Sequence, residues 1–191
     1  MYGKINKPFW DDKPVAVIGG GPSMHDFDFE KLRGAHVLAV KDLILDIPWA
    51  DAGFGLGMWR DKLVNVPSRI YWAVPEDQAI GPPPPAKNIT LLKQMPGLQV
   101  SDDPGAVYGN TCEFGAMQIC IHKRAKQIVL FGFDHVGPNW TKPAEHFSVY
   151  VPYLTAHGIS VVNACPSSAI RCFQKVALQD AVAICANGKG P

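Results

Sequence analysis

The chain has 191 residues, with 18 lysines and arginines against 17 aspartates and glutamates and a formal net charge of +1. Those charges are well mixed and form no basic stripe, which argues against duplex nucleic acid as a partner, and no apolar run is long enough to cross a bilayer. With 47% hydrophobic and 18% charged residues, it reads as one soluble domain with an apolar surface or a contact between copies, as in a homo-oligomer.

A chain of this length buries ~70% of its unfolded surface. Met1 to Asp12 is polar and aromatic and unlike a signal peptide. The cysteine count is five, an odd number, and no pair is spaced C-x-x-C. The expected compartment is therefore a reducing cytoplasm, without zinc or disulfides.

Residues 1–13 read as an irregular arm pinned by Phe9 and Trp10, and 14–191 as a single domain. Val15-Ala16-Val17-Ile18 is a short buried strand, and Gly19-Gly20-Gly21-Pro22-Ser23 follows it as a sharp turn into a helix start. That order predicts several free N–H groups at one point, a place for a phosphate. The dinucleotide fingerprint G-x-G-x-x-G is only partly met, because Met24 stands at the third glycine. Asp26 to Leu32 is expected to be a short helix ended by Gly34, and Ala35 to Val40 a second strand ending at Lys41-Asp42. Strand, helix and strand at this spacing make a parallel βαβ unit.

Leu43 to Trp49 is apolar and closed by Pro48. Ala52 to Gly57 reads as a third strand, Met58 to Leu63 as a helix and Arg69 to Val74 as a fourth strand. Gly81 and the four prolines after it form a stiff connector. Ile89 to Leu92 is a further strand, and Val107 to Thr111 a polar approach to the clearest helix, Thr111 to Arg124. Phe114, Met117 and Ile121 recur at helical spacing, predicting one buried face. His122, Lys123, Arg124 and Lys126 are read as cations complementing the helix dipole. Gln127 to Asp134 is continuously apolar up to its end and therefore central, with Asp134 at its carboxyl end.

His135 to Pro143 reads as a loop containing Trp140, Ala144 to His157 as a helix and Ile159 to Val162 as a strand. Asn163-Ala164-Cys165-Pro166-Ser167-Ser168 is a strand-end loop whose serines are expected to cap a helix. Gln174 to Pro191 adds one more short helix and a glycine-rich end. The fold class is α/β, a single Rossmann-like domain with a mostly parallel open sheet and helices on both faces. Its ligand site is expected where Gly19–Ser23, Lys41–Asp42 and Gly132–His135 meet, with Asn163–Ser168 as a fourth contributor.

Four segments carry a resemblance. Gly-Gly-Gly-Pro-Ser with Asp26-Phe27-Asp28 resembles the G-x-G-P-S motif of the bacterial sialyltransferases of the lipooligosaccharide type. It is equally similar to that of the archaeal hydroxymethylpterin diphosphokinase-like proteins, many carried by phages. Asn110 to Arg124 with the strand ending Gly132-Phe133-Asp134, and Val162 to Ile170, resemble later segments of the same group in the same order. The resemblance implies a nucleotide site and a transferase, with a catalytically inactive nucleotide-binding module or a phage structural or interaction protein as alternatives on the same fold. The transferase's donor would be a nucleotide sugar in the sialyltransferase case, or ATP with magnesium in the diphosphokinase case; a phage protein in a host cytoplasm is part of the same expectation.

Three positions depart from that group: Lys41 replaces an Asn that contacts the donor, Gly57 replaces an acidic residue, and Asn139 precedes Trp140 where a His is usual. The expected binding residues are Gly19, Gly20, Gly21, Pro22, Ser23, Lys41, Asp42, Asn163, Ser167 and Ser168. His146 and His135 are candidate bases, since imidazole titrates near neutrality. Asp134, Asp42 and Asp26 are the carboxylates that magnesium would need. His25 lies close enough to the glycine turn to touch a phosphate. Gly21→Val is expected to abolish binding by filling the phosphate position.

Overall fold

The computed structural model describes residues 2–6, 10–11, 13–57, 63, 65–75, 87–137, 139 and 141–187. The readings of Phe9, the helix over 58–63 (apart from Leu63), the 81–85 connector, Trp140 and the end at 188–191 lie outside the described residues.

The strands are β1 (Pro14–Ile18), β2 (His36–Val40), β3 (Ala52–Leu56), β4 (Arg69–Pro75), β5 (Ile89–Met95), β6 (Ala106–Tyr108), β7 (Gln127–Phe131), β8 (Ser160–Asn163) and β9 (Gln174–Lys175). They form one sheet in the order β6-β5-β4-β3-β2-β1-β7-β8-β9 with every neighbouring pair parallel. Successive strands after β1 add outward on one side, whereas β7, β8 and β9 add on the other. The order reverses at β1 and β7, and there the strand-end loops diverge to opposite faces.

Both faces are covered, which is why β1, β2 and β7 are near-continuous runs of valine, leucine, isoleucine and alanine. Val15, Val17, Leu38, Ile128 and Leu130 point into one layer, with α2 (Cys112–His122), α3 (Thr141–His146) and α4 (Tyr150–Ala156). Ala16, Ile18, Val37, Ala39, Val129 and Phe131 point into the other, with α1 (Leu43–Asp46) and α5 (Leu178–Asn187). The period of two along each strand sorts the residues between these layers.

Several expectations need correction. The β1–β2 crossover holds no α-helix; it has two 3₁₀ turns, Pro22–Met24 and Phe29–Leu32, the second capped by Asp28 accepting from the Glu30 N–H at 3.1 Å. Gly34, at φ +86°, ends it as expected. Phe27 packs 5.9 Å from the Phe131 ring and Leu32 is fully buried, so the short turns still seal β1 and β7. Helix α2 is not amphipathic: Phe114 through Ile121 are all buried. The sheet covers one side, and Phe147 and Tyr150 cover another, the Tyr150 hydroxyl donating to the Phe114 carbonyl at 2.6 Å.

The approach to α2 is itself strand β6, on the sheet's edge. Fully buried Gln118 of α2 completes it, accepting from the Tyr108 N–H at 3.1 Å and donating to the Tyr108 carbonyl at 2.9 Å. A side-chain amide thus supplies the pairing that a tenth strand would, and blunts the edge. Strand β7 ends at Phe131 and not at Asp134, because Gly132 turns the chain at φ +67°. The helix expected over 144–157 starts at Thr141 and is divided by a 3₁₀ turn at Phe147–Val149. No helix directly follows Ser167 and Ser168.

Lys123 does more than face the dipole. It is 2% exposed, its Nζ donates to the Asn6 carbonyl at 2.7 Å, and the Trp10 and Tyr71 rings lie 5.5 and 5.6 Å away. Burial pushes its ammonium down to about 8. Trp10 is 2% exposed and its backbone N–H donates to the Lys123 carbonyl at 2.7 Å, so this part of the arm is packed onto the body.

Candidate functional site

The carboxyl ends of β1, β2 and β7 enclose a cleft of about 410 Å³. Gly20, Gly21 and Pro22 line it from β1, Val40, Lys41, Asp42 and Leu43 from β2, Gly132, His135 and Val136 from β7, and Glu113 from the first turn of α2. Its size is within the range of small-molecule sites, and it stands where the strand order reverses.

The glycine turn is built differently from the row of free amides that the sequence suggests. Gly19 N–H donates to the Phe131 carbonyl at 2.8 Å and Gly21 N–H to the Gly132 carbonyl at 3.0 Å. Ser23 is held through its hydroxyl, which donates to Asp134 Oδ2 at 2.9 Å. The two strand-end loops lie backbone against backbone. A Cβ at Gly21 would stand inside the Asp134 carboxylate and against the Gly132 carbonyl, and one at Gly132 would meet the Gly19 carbonyl. Most of these glycines therefore serve close packing within the protein. Gly20 is the exception: a Cβ there meets nothing within 4 Å, and among the described residues its N–H makes no hydrogen bond. The reading of Gly21→Val as a block on phosphate is corrected accordingly: that side chain would displace protein, not ligand.

Asp134 is 4% exposed and bridges three loops. It accepts from Ser23 through Oδ2 and from the Cys165 thiol at 2.9 Å through Oδ1, and its carbonyl accepts from Ala169 N–H at 3.0 Å. Burial, reinforced by this carboxylate, pushes the Cys165 thiol up, so the sulfur is a hydrogen-bond donor and not a nucleophile. Asn163 is fully buried: its amide donates to the Phe133 carbonyl at 3.3 Å and to Ser168 Oγ at 3.0 Å, while its Oδ1 accepts from Cys165 N–H at 3.0 Å. Ser168 Oγ donates to Phe133 at 2.6 Å and accepts from Ile170 N–H at 3.1 Å. These polar groups are spent on holding the loop after β7, which is why Ser168 caps no helix. Ser167 is exposed and 3.4 Å from the Cys165 sulfur.

Of the expected binding residues, the cleft thus brings together Gly20, Gly21, Pro22, Lys41 and Asp42, while Gly19 is buried beneath it. Ser23, Asn163, Ser167 and Ser168 are not in its lining. Among the histidines, His135 lines it; His146, at the end of α3, does not. His25 is almost wholly exposed and paired with Asp26 at 3.0 Å. Gly57, at φ +85°, accepts from the Trp72 indole at 2.7 Å, and Asn139 is exposed.

Lys41 (φ +57°) and His135 (φ +48°) both adopt the left-handed conformation that side chains rarely take, and both line this cleft, although the His135 ring packs 5.3 Å from Phe147 with both nitrogens enclosed. Such strain concentrates at sites where geometry matters more than stability. Burial pushes the His135 imidazole below its usual value, opposed by the Glu113 and Asp134 carboxylates. It is therefore neutral at pH 7 and able to accept a proton.

Glu113 is the cleft residue that the sequence reading passed over. An acid in the first turn of a helix reads as a partner of the dipole. The available signal was topological: a helix that follows a parallel strand begins at the carboxyl edge, beside the ligand site.

A scan against protein-family models and a search of curated proteins found no match to this chain.

Proposed function

We propose that the cleft binds the phosphate-bearing part of a nucleotide or nucleotide sugar, and that the protein is a glycosyltransferase-like transferase. The observation that carries this reading is the convergence of Gly20, Lys41 and His135, distant in sequence, on one cleft at the strand-order reversal. The Gly20 N–H and the Lys41 ammonium are donors for an anion, Lys41 acting as a point charge. His135, neutral and in the same lining, is assigned as the base for the acceptor hydroxyl's proton, a role that requires its enclosed ring to turn from Phe147 toward the ligand. His146 has no such place.

The diphosphokinase reading has less support. It asks for carboxylates gathered around magnesium, but Asp134 is bound to Ser23 and Cys165, Asp26 is exposed on His25, and Asp42 and Glu113 alone line the cleft, where no three such ligands gather among the described residues. A binding module without chemistry is favoured by one observation: Asp134, Asn163 and Ser168, central to the resemblance, are all committed to internal hydrogen bonds.

The test is a thermal-shift panel of CMP, CDP, UDP, ADP and ATP, followed by donor hydrolysis. Lys41→Ala should weaken nucleotide binding about 10-fold without lowering the ligand-free melting temperature. His135→Gln should lower donor turnover ~100-fold and leave nucleotide affinity nearly unchanged. Binding without turnover would establish the module, and no binding by any nucleotide would end both readings.

A further inference from the structure

The cleft carries charges of both signs. Lys41 directly follows β2, where open α/β sheets that bind dinucleotides place an acidic residue for the ribose hydroxyls, and Asp42 comes next. A cation there cannot accept a hydroxyl's hydrogen bond. The cleft holds two carboxylates, Asp42 beside Lys41 and Glu113 on the first turn of α2.

Glu113 Oε2 is enclosed and, among the described residues, has no hydrogen-bond partner. An exposed carboxylate would serve the dipole of α2 equally well, so the dipole does not explain the burial. Enclosing an acceptor without a hydrogen-bond donor costs solvation. A ligand with O–H groups would return it. A phosphate would not, because two anions repel. The ligand's orientation follows, with phosphate toward Gly20 and Lys41 and hydroxyls toward Glu113.

We propose that Glu113, whose enclosed Oε2 has no donor among the described residues, recognises the sugar hydroxyls of the bound nucleotide. This rests on the nucleotide reading of the same cleft and adds to it the specificity for a hydroxylated sugar.

The test is titration calorimetry with CMP and AMP and with their 2′,3′-dideoxy counterparts, on wild type and Glu113→Gln. Wild type should prefer the ribose forms by about 10- to 100-fold, the worth of a hydrogen bond to a charged group. Glu113→Gln should lose most of that ratio while binding the dideoxy forms as wild type does. Its ligand-free melting temperature should be no lower than that of wild type, since a neutral amide is cheaper to enclose. If the variant keeps the full ratio, or melts well below wild type, Glu113 has a structural role and the inference fails while the nucleotide reading stands. If wild type binds none of the four compounds, the nucleotide reading falls and this inference falls with it.

Discussion

Two strand-end loops on the same edge of the sheet match the resemblance about equally well and are used in opposite ways. The Gly19–Ser23 turn packs two of its glycines against the β7 loop and leaves Gly20 open to a cleft that also holds Lys41 and His135. The Asn163–Ser168 loop turns its polar groups inward, where Asn163 and Ser168 hold the Phe133 carbonyl and Cys165 holds Asp134. A motif of small and polar residues at a strand end therefore specifies a tight loop. Whether any of its groups remain for a ligand depends on how the neighbouring loop packs.

The strongest way to break this comparison is within the first turn itself. Gly21→Val forces a side chain into Asp134 and the Gly132 carbonyl, and should cost about 3 kcal/mol, a fall of roughly 6–12 °C in melting temperature. Gly20→Val, in open space, should melt within about 2 °C of wild type yet impair nucleotide binding. Equal melting temperatures for the two variants would show that the turn is not divided as described.

Asn163→Ala sharpens the other side. It removes the donors to Phe133 and Ser168 and the acceptor for Cys165 N–H, and should cost about 2–3 kcal/mol in chemical denaturation. Any change in nucleotide affinity should be small beside that of Lys41→Ala, because Asn163 does not line the cleft.

The smallest effect concerns pH and belongs to His135, in the loop between the two regions. Its folded value lies below the unfolded value near 6.5, mainly because of burial, so between the two the unfolded chain binds more protons than the folded one. Stability should rise with pH through that window, level off above 6.5 and fall as pH drops below it. His135→Gln should reduce the slope. A remainder is expected from His122, whose value burial also lowers.

The strands β1, β2 and β7 were legible in the sequence because a strand buried on both faces must be apolar at every position, whatever surrounds it. Helix α2 was legible in extent and misread in environment. Phe114, Met117 and Ile121 mark a buried face, but the small and apolar residues between them look the same whether α4 covers them or water does. Asp134 was correctly placed beside the glycine turn, yet its role depended on Ser23 and Cys165, which approach it only in the folded chain.

What the sequence determined by itself was the alternation of parallel strands and crossovers, and hence an edge at which loops gather. Local hydrophobic patterning and turn chemistry are enough for that. The tertiary structure decided which of those loops faces a cleft and which closes on itself. It also enclosed Glu113 Oε2 at the cleft that Lys41 lines. These outcomes depend on hydrogen bonds and close backbone contacts between segments far apart in the chain, and no local pattern encodes them.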